Sequence, residues 1–306
     1  MLRLIGWLVP LVVALSLLGT ALLLVIAPVL PPGDELLYIT LPDQGYDAVL
    51  YVHDLRADLR HILITELSWG ADAAWSPDGQ RIAYSTPLVY GLGDVVFLYE
   101  VRTGLRTRFT PEGRFGHPTW SPDGTQLVYQ GTTFDNDWDL YIADVANRTA
   151  RRLYEGESWQ QHPDWSPDGT LMAFDGIANL AGRSDLFVLN LLTGEVRLLT
   201  DVTTFNTLPA WSPDGQQIAY ASLEPTGYDI FVVDVDGTNP RRITAFSGNE
   251  INPRWSPDGR TIAFDARTPQ DNFAQHIYLV DAAGEQPPRR LTDDDTGYTQ
   301  PDWRPR

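Results

Sequence analysis

Five times the chain writes nearly the same phrase: AWSPDGQRIAY at Trp75, TWSPDGTQLVY at Trp120, DWSPDGTLMAF at Trp165, AWSPDGQQIAY at Trp211 and RWSPDGRTIAF at Trp255. A sixth begins with Trp303 in PDWRPR. The tryptophans recur about every 45 residues, the spacing of propellers and solenoids, in which each repeat is one supersecondary unit that buries its faces against its neighbours. Within each repeat the apolar residues alternate with period two, as in Ile82 and Tyr84, Leu127 and Tyr129, Ile218 and Tyr220, Ile262 and Phe264. That is the spacing of a strand, not of a helix.

The SPDG that follows each full tryptophan has the residue order of a type I turn: Ser first, Pro preset for the second position, Asp tolerated at the third, Gly at the fourth. It joins two antiparallel strands, and the tryptophan that ends the first is placed to pack between neighbouring sheets. A third strand follows (DLYIADV from Asp139, DLFVLNL from Asp185, DIFVVDV from Asp229, HIYLVDA from His276), then a short basic fourth (RRLY at Arg151, RRIT at Arg241, RRLT at Arg289). Paired arginines suit an exposed sheet edge, where charge discourages pairing with another chain. Four antiparallel strands per repeat make one propeller blade. Trp303 supplies one strand of a sixth, and three come from near the other end: ELLYIT (35–40), AVLYVHDL (48–55) and HILIT (61–65). The expected fold is all-β, a six-bladed β-propeller over 34–306 whose ring is closed by strands from both termini.

These motifs, WSPDG with a following IAY or IAF, a DIF or DLY strand and a closing RRLT, resemble the repeats of TolB-like β-propellers, related in motif to WD40-like repeats. The resemblance spans Glu35 to Arg306 and implies six blades. It also implies a choice of roles, because such propellers serve as binding scaffolds, as accessory domains of serine peptidases and occasionally as enzymes.

Residues 4–30 carry no charge, enough to span a hydrocarbon layer as one tilted helix. Residues 1–33 therefore read as an uncleaved signal-anchor with a short linker. Arg3 on one side and Asp34 with Glu35 on the other keep the N-terminus cytoplasmic and put the propeller on the periplasmic or extracellular side. The formal net charge of −18 argues against nucleic acid and favours cationic partners. With no cysteine, disulfides, thiolate metal sites and Cys nucleophiles are excluded.

In a propeller the first strand of each repeat lines the central channel, and the turns after Trp and after the third strand share one face, here the lower. The upper-face loops differ most between copies, which marks the face free to specialise. Three residues before each tryptophan, near the upper channel mouth, stand Asp72, His117, His162, Leu208, Asn252 and Gln300. His117 and His162, on adjacent blades, have the chemistry to hold a divalent metal. Asp293, Asp294 and Asp295 add acid to the same face, as do Asp135, Asp137 and Asp139. The latter run begins like a calcium loop but has Leu140 where Gly is required and Ala146 where the bidentate Glu belongs, so it is no EF-hand. His53, His61 and His276 fall in strands and read as packed or surface residues. GLGD at Gly91 lacks the third glycine of a dinucleotide site, and no G-x-S-x-G elbow occurs.

The sequence thus points to a membrane-tethered module without cofactor that binds a protein, peptide or glycan on its upper face through Asp72, His117, His162, Asn252, Gln300 and Asp293 to Asp295. The alternative is a metal-dependent lyase or hydrolase centred on His117 and His162.

Overall fold

The computed structural model describes residues 34–41, 48–67, 71–87, 93–132, 138–154, 159–177, 182–200, 203–269, 274–293 and 296–305. The expected membrane helix and Asp135, Asp137, Asp294 and Asp295 lie outside them. Among the described residues no helix is long and apolar enough to cross a membrane.

The strands form six antiparallel four-stranded sheets. The chain enters with β1 (Glu35–Leu41), β2 (Ala48–Asp54) and β3 (Leu59–Leu67). Blade one follows as β4 (Ala73–Trp75), β5 (Arg81–Pro87), β6 (Asp94–Glu100) and β7 (Arg106–Arg108), and blade two as β8 (Arg114–Trp120), β9 (Gln126–Thr132), β10 (Asp139–Asp144) and β11 (Ala150–Tyr154). Blade three is β12 (Gln160–Trp165), β13 (Leu171–Ile177), β14 (Ser184–Asn190) and β15 (Val196–Leu198), and blade four β16 (Asn206–Trp211), β17 (Gln217–Glu224), β18 (Gly227–Asp234) and β19 (Arg241–Arg242). Blade five is β20 (Asn249–Trp255), β21 (Thr261–Arg267), β22 (Gln275–Asp281) and β23 (Arg289–Arg290), and β24 (Gly297–Trp303) ends the series. β24 pairs with β1, Leu36 opposite Trp303 and Thr40 opposite Tyr298, so blade six is built from both ends as expected.

Each SPDG folds as a hydrogen-bonded knot. In the first, Gly79 N–H donates to Ser76 O (2.8 Å), Ser76 Oγ donates to Asp78 Oδ1 (2.6 Å), and Ser76 Oγ accepts Arg81 N–H (2.9 Å). The pattern recurs around Ser121, Ser166, Ser212 and Ser256. Gly79 has φ +62°, a conformation that costs a Cβ-bearing residue.

The second strands are buried on both faces rather than alternately, because every blade is sandwiched between two others; Ile82, Ala83 and Tyr84 are all buried. The core is accordingly a set of seams between blades. One joins Ala83, Val96 and Leu98 of blade one to Phe115, Trp120 and Tyr129 of blade two. The tryptophans bridge these seams: Trp120, Trp255 and Trp303 donate indole N–H to the carbonyls of Ala74, Ala210 and Arg254 in the preceding blades.

The paired arginines do more than guard an edge. Arg152 lies 3.1 Å from Asp139 and Arg242 2.5 Å from Asp229, giving these buried carboxylates the counter-charge that burial demands. At the closure, Arg304 stands where the other repeats have Ser. Its Nη1 meets Glu35 Oε2 at 2.5 Å, its Nη2 donates to Gly79 O at 3.1 Å, and its guanidinium lies over Trp75, 5.1 Å from the ring centroid. One side chain thus ties the last strand to the first and to the neighbouring blade.

Candidate functional site

The channel-lining strands are not regular. In β8, β12, β16 and β20 the register with the second strand slips just before the last residues, and β24 slips likewise against β1. At each slip sits the residue three before tryptophan, with positive φ: His117 (47°), His162 (49°), Leu208 (58°), Asn252 (55°) and Gln300 (56°). A proline follows every one of them. This is a β-bulge, and proline fits it because a bulge leaves a ladder position without a hydrogen bond. Asp72, followed by Ala73, is not among the positive-φ residues.

The bulges turn the ring into the channel. Asp72, His117, His162, Leu208 and Gln300, with Arg254 below them, line a cavity of about 20 Å³, room for about one water. Each bulge exposes a backbone N–H, and four are capped by a side chain of the preceding blade: His117 N–H by Asp72 (3.1 Å), His162 N–H by Gln130 (2.9 Å), Leu208 N–H by Asp175 (3.1 Å) and Gln300 N–H by Asp265 (3.2 Å). Gln130, Asp175 and Asp265 directly follow the aromatic of the second strand, as does Ser85, whose hydroxyl donates to Asp72 (3.1 Å). In blade four that position is Ala221.

The two histidines meet edge to face, ring centroids 4.3 Å apart. Each turns Nδ1 to a carboxylate, His117 to Asp72 at 3.3 Å and His162 to Asp175 at 2.6 Å. Burial, with His162 and Arg254 nearby, holds the His117 imidazole well below its ordinary pKa. Burial also pushes Asp72 up to about 6, against the His117 backbone N–H that stabilises its charged form. Asp265 is likewise raised to about 6 by burial, opposed by Asn252 and Gln275.

The structure therefore gathers Asp72, His117, His162 and Gln300. Asn252 is buried and turned away, its Nδ2 donating to Asp265 Oδ1 (2.8 Å). Asp293 does not join them: it is 86% exposed and paired with Arg60 at 2.9 Å. His53, bonded to Asp58 (3.0 Å), and His276, bonded to Thr292 (3.1 Å), are packed residues. Among the described residues no group of three or more His, Cys, Asp or Glu is arranged to hold a metal ion. Sequence reasoning missed Gln130, Asp175, Asp265 and Arg254; the proline two residues before each of five tryptophans was the available sign of a bulge.

The profile of the TolB beta propeller domain family matches residues 73–206 and again 177–306. No curated protein gives a significant match. Among solved structures the chain is similar to TolB from Acinetobacter baumannii, at 22% identity and TM-score 0.78 over 90% of this chain and 68% of that one. It is similar also to putative TolB from Agrobacterium tumefaciens, at 21% and 0.73 over 83% and 91%. A third likeness is the β-propeller domain of the Trilobed protease from Pyrococcus furiosus, at 12% and 0.60 over 86% and 96%; its topology is described as open velcro, whereas here β24 closes on β1. Identities this low carry the fold and not a shared site. With its repeats matched across most of its length and all six blades formed, the chain belongs to the TolB beta propeller domain family.

Proposed function

We propose that this protein is a membrane-tethered, extracytoplasmic propeller that binds a protein, peptide or glycan at its upper face and performs no chemistry of its own. The observation that carries the reading is how the channel's polar groups are spent. The acids Asp72, Asp175 and Asp265 hold bulge amides, and the cavity between the histidines is far below the roughly 300–1,000 Å³ of a small-molecule site. What remains free to vary is the upper surface around the mouth. Residues 1–33 are the tether. β1 starts at the lower face, where Arg304 meets Glu35 and Gly79.

The test places a photo-crosslinking amino acid at Arg114, Thr226 or Asp293, all exposed on the upper face, in the full chain in its native membranes. A discrete adduct from at least one position is expected; none from any of the three overturns the reading.

A second reading is favoured by the histidine geometry. With Nδ1 held by a carboxylate, as in many metal-binding histidines, His117 and His162 would offer Nε2 to a divalent cation. That is two protein ligands where a catalytic zinc takes three. Metal analysis of the purified full chain beside the His117→Ala, His162→Ala variant separates the readings: stoichiometric metal lost in the variant supports a lyase or hydrolase, and none removes its basis.

A further inference from the structure

On the lower face the channel opens into a second cavity, of about 240 Å³, which has Pro118 and Arg254 in common with the lining of the first. Its wall is made by the repeat itself, the six tryptophans 75, 120, 165, 211, 255 and 303 with prolines of the turns. Its floor is the ring of residues that each precede a tryptophan: Ala74, Thr119, Asp164, Ala210, Arg254 and Asp302. The tryptophan of the wall is the same in every blade, whereas the floor holds four residue types at six positions. A position that varies inside an otherwise repeated funnel is where a repeat protein places its specificity.

The charges on that floor do not cancel. Asp164 and Asp302 face one guanidinium, Arg254, whose Nε is 3.9 Å from Asp302 Oδ1. Each carboxylate already accepts a backbone N–H of the next blade, Trp211 at 2.7 Å and Trp75 at 2.8 Å. Two carboxyls against one guanidinium leave the floor, when both are ionised, short of one cation. Burial raises both carboxyls, Asp302 to about 7, and a second cation is what would hold them charged.

We propose that this funnel receives one lysine or arginine side chain of a protein partner, its stem against the proline and indole carbons and its charged end between Asp164 and Asp302. The cavity is too small for a typical cofactor and sufficient for one long side chain. The wall suits the stem, since such side chains bury their methylenes on apolar surface. The chain's net charge of −18 draws a cationic partner toward it.

The test uses the full chain in detergent micelles at pH 8, with acetyl-Gly-X-Gly-amide peptides in which X is lysine, arginine, norleucine or glutamate. Binding is read from the indole N–H signals of the funnel tryptophans. The lysine and arginine peptides are expected to bind roughly tenfold or more tightly than the norleucine peptide, as a hydrogen bond to a charged group implies. Asp164→Asn and Asp302→Asn, each tested separately, should remove about that advantage, while Arg254→Met, which deletes the resident cation, should tighten lysine binding. Equal binding of lysine and norleucine, a preference for glutamate, no binding of any peptide, or weaker lysine binding in Arg254→Met overturns the proposal.

Discussion

Replacing Arg304 with alanine should loosen the whole ring, although only two residues follow it in the sequence. Arg304 and Glu35 are 13% and 2% exposed at the side chain, and their oxygen and nitrogen are 2.5 Å apart. Removing one partner of a buried pair leaves the other charge uncompensated, at a cost of about 3–5 kcal/mol. The lost stacking on Trp75 adds about 0.5–1 kcal/mol. Against a typical total stability of about 5–15 kcal/mol, this is a large fraction. The assay is urea unfolding of the full chain in detergent, followed by tryptophan fluorescence. Arg304→Ala should move the midpoint far down, and the Glu35→Leu, Arg304→Leu double variant should regain most of the loss because no charge is left buried. A cost for Arg304→Ala under about 1 kcal/mol, or a double variant worse than either single one, would refute the claim that this pair latches the ring.

Three further outcomes follow from the same geometry. Gly79→Ala should cost more than Gly194→Ala, since both glycines have positive φ but only at Gly79 would a Cβ meet Arg304, at 2.7 Å; the excess, measured by denaturation, should vanish in an Arg304→Ala background. Asp175→Ala should destabilise by about 1–3 kcal/mol by leaving the Leu208 N–H buried and unpaired, whereas Asp175→Asn keeps an acceptor and should cost less than half as much in the same measurement. Asp72 and Asp265 at about 6 and Asp302 at about 7 stand above the usual 3.8, so folding favours their protonated forms. The stability they contribute is full below about pH 4 and is lost as pH rises through 6 and 7. His117, held below its ordinary value, opposes this slope up to about pH 6.5, so the melting temperature should fall between about pH 6.5 and pH 8, and Asp302→Asn, which still accepts from Trp75, should flatten that fall.

The blade count and the closure of the ring were legible because they rest on local chemistry: SPDG writes its own turn, and period-two runs write the strands on either side of it. The position of His117 and His162 in the channel was legible from the repeat alone. What they do there was not. The partner of the Leu208 amide is Asp175, 33 residues away, and that of Gln300 is Asp265, 35 away, across a seam between blades that no spacing within one repeat reveals. The bulge was written as a proline in a strand, a residue that seldom sits in a regular ladder. The role of the second arginine in RRLY and RRIT was hidden for a related reason, because Asp139 and Asp229 look solvent-facing until the blades close over them.

An extracytoplasmic propeller is what the proposed function requires, and the absence of cysteine from the sequence allows this to be measured directly. A single cysteine replaces Thr226 on the upper face or Leu192 on the lower, both exposed, and intact spheroplasts are treated with a bulky membrane-impermeant maleimide. Both positions should be labelled without lysis. Labelling of neither until the cells are broken would contradict it.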